Sequence, residues 1–249
     1  MRAASLVVAF AVGLGGASGC SSHGGSNADA ARPLVVVLFD VSGSTQDPAI
    51  RQRYLFSFER VVDAVAAEHG TVVGDVIDEN PLAHSSYPID ATFEPCDPFR
   101  DNQLECNARS AKLHDDVLAG AEAILNTVPA RSGTDIHDGL RLAERVFDAY
   151  PEATSRSLVM LSDMVEHSTG IQMGRGFDGT SDLQALTAHG SIAQLRDVQV
   201  YVVGAGVVTS SELPPERILA IQDFWQRYFA ASGAELPPDR YGAALVRFP

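Results

Sequence analysis

The stretch Leu34-Val35-Val36-Val37-Leu38-Phe39-Asp40-Val41-Ser42-Gly43-Ser44 decides the fold. Six consecutive apolar residues, half of them β-branched, predict a strand buried on both faces, as in a parallel sheet covered by helices. The run stops at Asp40 and a turn of small residues follows. Asp47-Pro48 then supplies an N-cap and a proline suited to the first helical position. Beyond it Ile50, Tyr54, Leu55, Phe58, Val61, Val62 and Val65 recur at the spacing of one helix face. Strand, turn and helix in that order open an α/β unit.

The alternation continues outward from there. Val72–Ile77 and Pro88–Phe93 read as strands, the second hairpinned to the first through the turn-rich residues 80–87. Helices are expected near 108–127 and 135–149, then a strand at Ser157–Leu161. A weaker helix near 182–196 contains Gly190, which weakens it there. Val198–Val203 reads as a strand, Pro214-Pro215 opens a helix, and Ala244–Phe248 reads as a last short strand. The expectation is one α/β domain over residues 33–249. Its central sheet is mostly parallel with one antiparallel edge strand, and helices cover both faces. Ligands of such sheets sit beyond the carboxyl ends of the strands.

Composition narrows the function. The chain has 249 residues, 18 basic and 32 acidic, for a net charge of −14. That balance argues against nucleic acid, whose binding rests on Lys and Arg neutralising phosphates. Lys112 is the sole lysine. Hydrophobic residues make up 45%, enough for a sizeable core. There is no repeat of solenoid period, no Gly-x-x-x-x-Gly-Lys-Ser/Thr loop, no Gly-x-Ser-x-Gly elbow and no His-Glu-x-x-His pair.

Residues 1–19 read as a signal peptide: Arg2, a short apolar run from Leu6 to Leu14, then small residues. Ala17-Ser18-Gly19-Cys20 resembles the bacterial lipobox, which implies cleavage before Cys20 and its acylation. A plain secretory signal cut near Ala17 or Gly19 is the alternative. Residues 20–32 then form the lipidated cysteine and a small, polar tether. The expected location is the bacterial cell envelope, on the outer membrane if the cell has two. Export also means an oxidising compartment, in which Cys96 and Cys106 are expected to form a disulfide. A metal pair is the alternative, but Cys or His at ligand spacing is lacking.

Three separated segments bring oxygen donors to strand and helix ends. Asp40, Ser42 and Ser44 follow the first strand. Gly133-Thr134-Asp135 precedes a helix, and Asp163 ends the Ser157–Leu161 strand. Two carboxylates and three hydroxyls suit a hard divalent cation such as Mg²⁺. Asp135 reads as a helix cap.

Asp-x-Ser-x-Ser after the first strand, Thr134 in a Gly-Thr-Asp-Ile loop and Asp163 ending a later apolar strand resemble the von Willebrand factor type A (vWA) domain. The resemblance covers roughly residues 32–249 and implies the Rossmann-like vWA fold. It also implies a metal-ion-dependent adhesion site (MIDAS) of Asp40, Ser42, Ser44, Thr134 and Asp163 around Mg²⁺, or Mn²⁺ or Ca²⁺. An Asp or Glu carboxylate of a protein partner would complete the shell. Met164 departs from the family, in which a Gly often follows the second aspartate.

The long connection from Met164 to Asp182 is a candidate partner-contacting loop, with Glu166, His167, Arg175 and Phe177 as contacts. His137 and His167 read as surface histidines. The function expected is a metal-dependent protein-binding module on a membrane-anchored lipoprotein, not an enzyme. The alternative is a phosphoesterase-like hydrolase using the same ion, with His137 as its best general base.

Overall fold

The computed structural model describes residues 32–127, 133–207, 213–245 and 247–248. The expected signal peptide, Cys20, the tether up to residue 31, and Arg131-Ser132 lie outside the described residues. Among the described residues no helix is long and apolar enough to cross a membrane.

Strand β1 (Pro33–Asp40) is the axis of the molecule. Its neighbours are β2 (Thr71–Ile77) on one side and β4 (Ser155–Leu161) on the other, both parallel to it. The six-stranded sheet runs β3-β2-β1-β4-β5-β6. The edge strand β3 (Ile89–Thr92) is antiparallel to β2, whereas β5 (Val198–Val203) and β6 (Tyr241–Gly242) continue the parallel set. The chain therefore leaves β1 toward β2 and later returns to the other side of β1 as β4. That reversal of strand order places the topological switch point between the carboxyl ends of β1 and β4, where such sheets bind ligands.

Strand alternation divides the core in two. Val35, Val37 and Phe39 face α1 (Pro48–Ala67) and α2 (Gln103–Thr127). Leu34, Val36 and Leu38 face α3 (Ile136–Ala149) and α5 (Pro215–Ser232). This is the doubly wound, mostly parallel α/β sheet that the strand–helix alternation predicts, with one antiparallel edge strand and helices on both faces.

Three elements differ from their expected bounds. Helix α2 starts at Gln103 rather than near 108, because the Asn102 side chain accepts the Leu104 amide hydrogen at 3.1 Å. Helix α4 is Gly179–Ala188 rather than 182–196. Asp178 caps it, and the chain turns at Gly190, whose φ of +65° lies in the left-handed region. The last strand is Tyr241–Gly242, not Ala244–Phe248. Leu245 and Phe248 instead join the core cluster on the α1/α2 side, and Phe248 lies against the Tyr201 ring at 5.0 Å. The expected disulfide is present: Cys96 and Cys106 are bonded across the loop before α2.

Candidate metal centre

Asp40 ends β1 and Asp163 lies two residues beyond β4, and each makes the same local turn. Asp40 Oδ1 accepts the Ser42 amide hydrogen at 2.9 Å, and Asp163 Oδ1 accepts the Val165 amide hydrogen at 2.9 Å. A carboxylate bonding two residues ahead is how Asp turns a chain out of a strand. Thr45 tightens the first turn, its hydroxyl donating to the Asp40 carbonyl at 2.8 Å. The Ser42 and Ser44 hydroxyls lie 3.1 Å apart on the same turn.

Thr134 reaches this edge through backbone pairing. Its amide hydrogen goes to the His167 carbonyl, and the His167 amide hydrogen returns to the Thr134 carbonyl, each at 3.0 Å. The Asp135 amide donates to the Asp78 carbonyl just beyond β2 at 2.8 Å. Gly133 permits this close approach, since a Cβ there would lie 3.1 Å from Glu79 and 3.2 Å from the His167 carbonyl. Asp135 caps α3 as expected, accepting from the Asp138 amide. All three expected segments thus reach the carboxyl edge of the sheet.

Both aspartates are buried, Asp40 at 0% and Asp163 at 1% exposure. Among the described residues neither is ion-paired. Asp40 Oδ2 accepts from Ser162 Oγ at 2.7 Å. Asp163 Oδ2 is buried with no partner of hydrogen-bond geometry, although the nearby Ser44 hydroxyl eases its charge somewhat. Burial first, and the Asp40 charge second, push Asp163 up to about 7. Burial likewise raises Asp40, against hydrogen bonds from Ser42 and Ser162. Two mutually repelling carboxylates, one with an unmatched oxygen, beside the Ser42 and Ser44 hydroxyls fit a hard divalent cation.

Sequence reasoning missed three contributors. Ser162, adjacent to Asp163, braces Asp40 instead of turning to solvent. Tyr54 of α1 sends a buried hydroxyl to this edge, and burial together with Asp40 and Asp163 raises its pKa well above normal. Gly204, with φ of +102°, makes room for it: a Cβ there would lie 2.5 Å from the Tyr54 hydroxyl. The third is the Glu166–His137 pair.

Glu166 does not face solvent. It is 0% exposed, and Oε1 accepts from His137 Nδ1 at 2.6 Å and Ser168 Oγ at 2.7 Å. It ties the loop after β4 to the start of α3, so it cannot itself touch a partner from the surface. His137 is correspondingly not a surface histidine. Burial alone would lower its pKa, but the Glu166 hydrogen bond and charge, with Asp135 and Asp138, hold it at about 9. His167 and Arg175 are exposed, as a partner-contacting role requires. Phe177 is half-buried, edge-on to Phe224 at 5.4 Å, and anchors the loop to α5. Asp135, His137 and Asp138 also bring three potential ligand atoms within 4.8 Å of one another, an acidic and histidine grouping that follows Thr134 in the chain.

Met164 stands where the resemblance to the vWA pattern leads to the expectation of a Gly. Its φ is +63°, a conformation that disfavours any residue with a side chain. The surroundings hold it there: the side chain is fully buried, and the Met164 carbonyl accepts the Trp225 indole hydrogen at 2.8 Å.

The fold and this edge define a doubly wound α/β domain with paired acidic residues at its switch point. No protein-family model and no curated protein matches the chain. Among solved structures it is similar to proximal thread matrix protein 1 from the mussel byssus, at 15% identity over 82% of this chain and 46% of that one, TM-score 0.41. It is similar also to the manganese-loaded Plasmodium vivax TRAP protein, at 10% identity over 85% and 67%, TM-score 0.44. A third is the pilus adhesin SpaC of Lactobacillus rhamnosus GG, at 14% identity over 85% and 28%, TM-score 0.47. The chain thus spans under half of the mussel protein and under a third of the adhesin.

Proposed function

We propose that the protein is a metal-dependent protein-binding module. In this reading Asp40, Ser42, Ser44, Thr134 and Asp163 hold one divalent ion, Mg²⁺ or alternatively Mn²⁺ or Ca²⁺. When bound, the ion supplies an electrophilic position for a carboxylate of the partner. The observation that carries the reading is the pair of buried aspartates at the switch point, with Asp163 Oδ2 unmatched. Burying two like charges side by side is costly unless a cation compensates them. The two carboxylates nearly balance a divalent charge, and the neutral hydroxyls leave it attractive to a further anion. His167 and Arg175 on the neighbouring loop are the proposed partner contacts. Glu166 serves them indirectly by fixing that loop.

The hydrolase alternative requires a general base, and its best candidate is His137. Glu166, with Asp135 and Asp138, raises that imidazole to about 9 against the effect of burial, which makes it a poor base at neutral pH. Binding is therefore the better reading. The proposed setting is the bacterial cell envelope, with export by residues 1–19 and membrane attachment through acylated Cys20. Cys20→Ser should then release the protein from the membrane fraction.

The test is calorimetric titration of Mg²⁺ and Mn²⁺ into the protein and into Asp40→Ala, followed by pull-down of partners in Mg²⁺ and in EDTA. Metal binding by the wild type, lost in the variant, and a partner retained only with metal are expected. A folded wild type that binds neither ion at millimolar concentration refutes the metal reading.

A further inference from the structure

A second surface lies on the outer side of α1 and α2, away from the sheet. Gln52, Leu55, Phe56 and Glu59 form one i, i+3, i+4, i+7 stripe on α1, and Asp115, Leu118, Ala119 and Glu122 form the matching stripe on α2. The two stripes line a groove of about 460 Å³. Leu55 and Leu118 are half-buried and rest on the core cluster beneath, whose α2 members are Val117, Ala121, Ile124 and Leu125, whereas Phe56 stands outside it. Phe56 in the groove is 61% exposed, one of few large apolar side chains so placed.

The rim is acidic. Among the described residues Glu59 and Glu122 make no ion pair, and Asp115 meets only the His114 ring at 3.7 Å. Lys112 is committed to Asp116, and Arg60, one helical turn from Phe56, donates to the Leu245 carbonyl. An apolar floor inside an acidic rim selects for a cationic, apolar occupant. A second copy of this chain, at −14, would meet the rim with like charge, and so would an anionic membrane. The lined stretch is two turns of each helix, roughly 10 Å. That length suits one or two turns of a peptide, not a whole domain face.

We propose that this α1/α2 groove docks a short cationic segment of another protein. One large apolar side chain would sit on Leu55, Phe56 and Leu118, with flanking Arg or Lys against Glu59, Asp115 and Glu122. The site is separate from the aspartate pair and does not depend on a metal there.

Panning a phage-displayed library of random short peptides on the purified protein tests this. The enriched sequences should carry Arg or Lys beside a large apolar residue. As synthetic peptides they should lose roughly tenfold or more in affinity on Phe56→Asp. The double reversal Glu59→Lys with Glu122→Lys should produce a similar loss and a shallower salt dependence. Both glutamates are exposed, so this second variant keeps its fold even if Phe56→Asp does not, as thermal melting would verify. Enrichment of nothing above background, of peptides without basic residues, or of peptides indifferent to the charge reversal would overturn the proposal.

Discussion

Ser162 Oγ donates a 2.7 Å hydrogen bond to Asp40 Oδ2, so the residue preceding one switch-point aspartate braces the other. The same hydroxyl accepts the Met164 amide hydrogen at 2.9 Å, at the left-handed turn that follows. One buried side chain thereby couples the ends of β1 and β4 and fixes where both carboxylates stand.

Ser162→Ala should therefore do more than a surface serine change. It strips a partner from a fully buried carboxylate and leaves the Met164 amide unmatched. A stability loss of about 2 kcal/mol is expected, the usual cost of orphaning buried polar groups. Urea unfolding in EDTA measures it. A loss no larger than that of an exposed serine substitution would contradict this role.

Glu166→Gln removes the charge that keeps His137 protonated. The sign follows from His137 sitting at about 9, above its ordinary 6.5. The stabilisation from its charged form is fully present below about pH 6.5 and lost as pH rises through 9. In the variant the His137 titration, followed by NMR, should drop toward or below 6.5, and the stability decline over pH 6.5–9 should flatten. Breaking one half of a buried pair should also cost about 3 kcal/mol at neutral pH.

The parts of this site legible in the sequence are those written in contiguous residues. Asp40, Ser42 and Ser44 share one turn, and turn chemistry acts over two or three positions. The β1 run reveals its burial because both faces of a central strand are apolar. The Ser162 and Glu166 roles were not legible, because each depends on which strands become neighbours. Ser162 is 122 residues from Asp40, and His137 is 29 from Glu166. The final strand failed for a related reason. Ala244–Phe248 has the apolarity of a strand, but a short apolar run can be buried by packing alone. Pairing with β5 goes to Tyr241–Gly242 instead.

Cys96–Cys106 closes a short loop, and Cys106 is buried in the first turn of α2. Reduction should cost about 2–3 kcal/mol through regained freedom of the unfolded chain. The sheet does not include this loop, so the domain should remain folded when reduced. Mass analysis of the non-reduced protein should find the bridge, and denaturant curves with and without reductant should give its worth.

The aspartate pair makes the strongest prediction about pH. Asp163 sits at about 7 in the metal-free fold, above its ordinary 3.8, with burial as the main cause and Asp40 as the second. Between roughly pH 4 and 7 the folded state therefore holds a proton that the unfolded chain has released. Stability must fall as pH rises through that window and level off above it. Asp40 and Glu166 are raised as well and add slope of the same sign, so the wild-type curve alone does not isolate Asp163. Asp163→Asn does: it keeps the size of the side chain and removes the titrating charge. In EDTA the variant should show a flatter profile over pH 4–7 and exceed the wild type in stability at pH 8. Adding Mg²⁺ at pH 8 should reverse the order, raising the wild-type melting temperature and leaving the variant unchanged. Melting curves from pH 4 to 8, with EDTA and with Mg²⁺, measure both effects. A wild-type curve in EDTA as flat as the variant's would mean that Asp163 carries no strain for a cation to relieve.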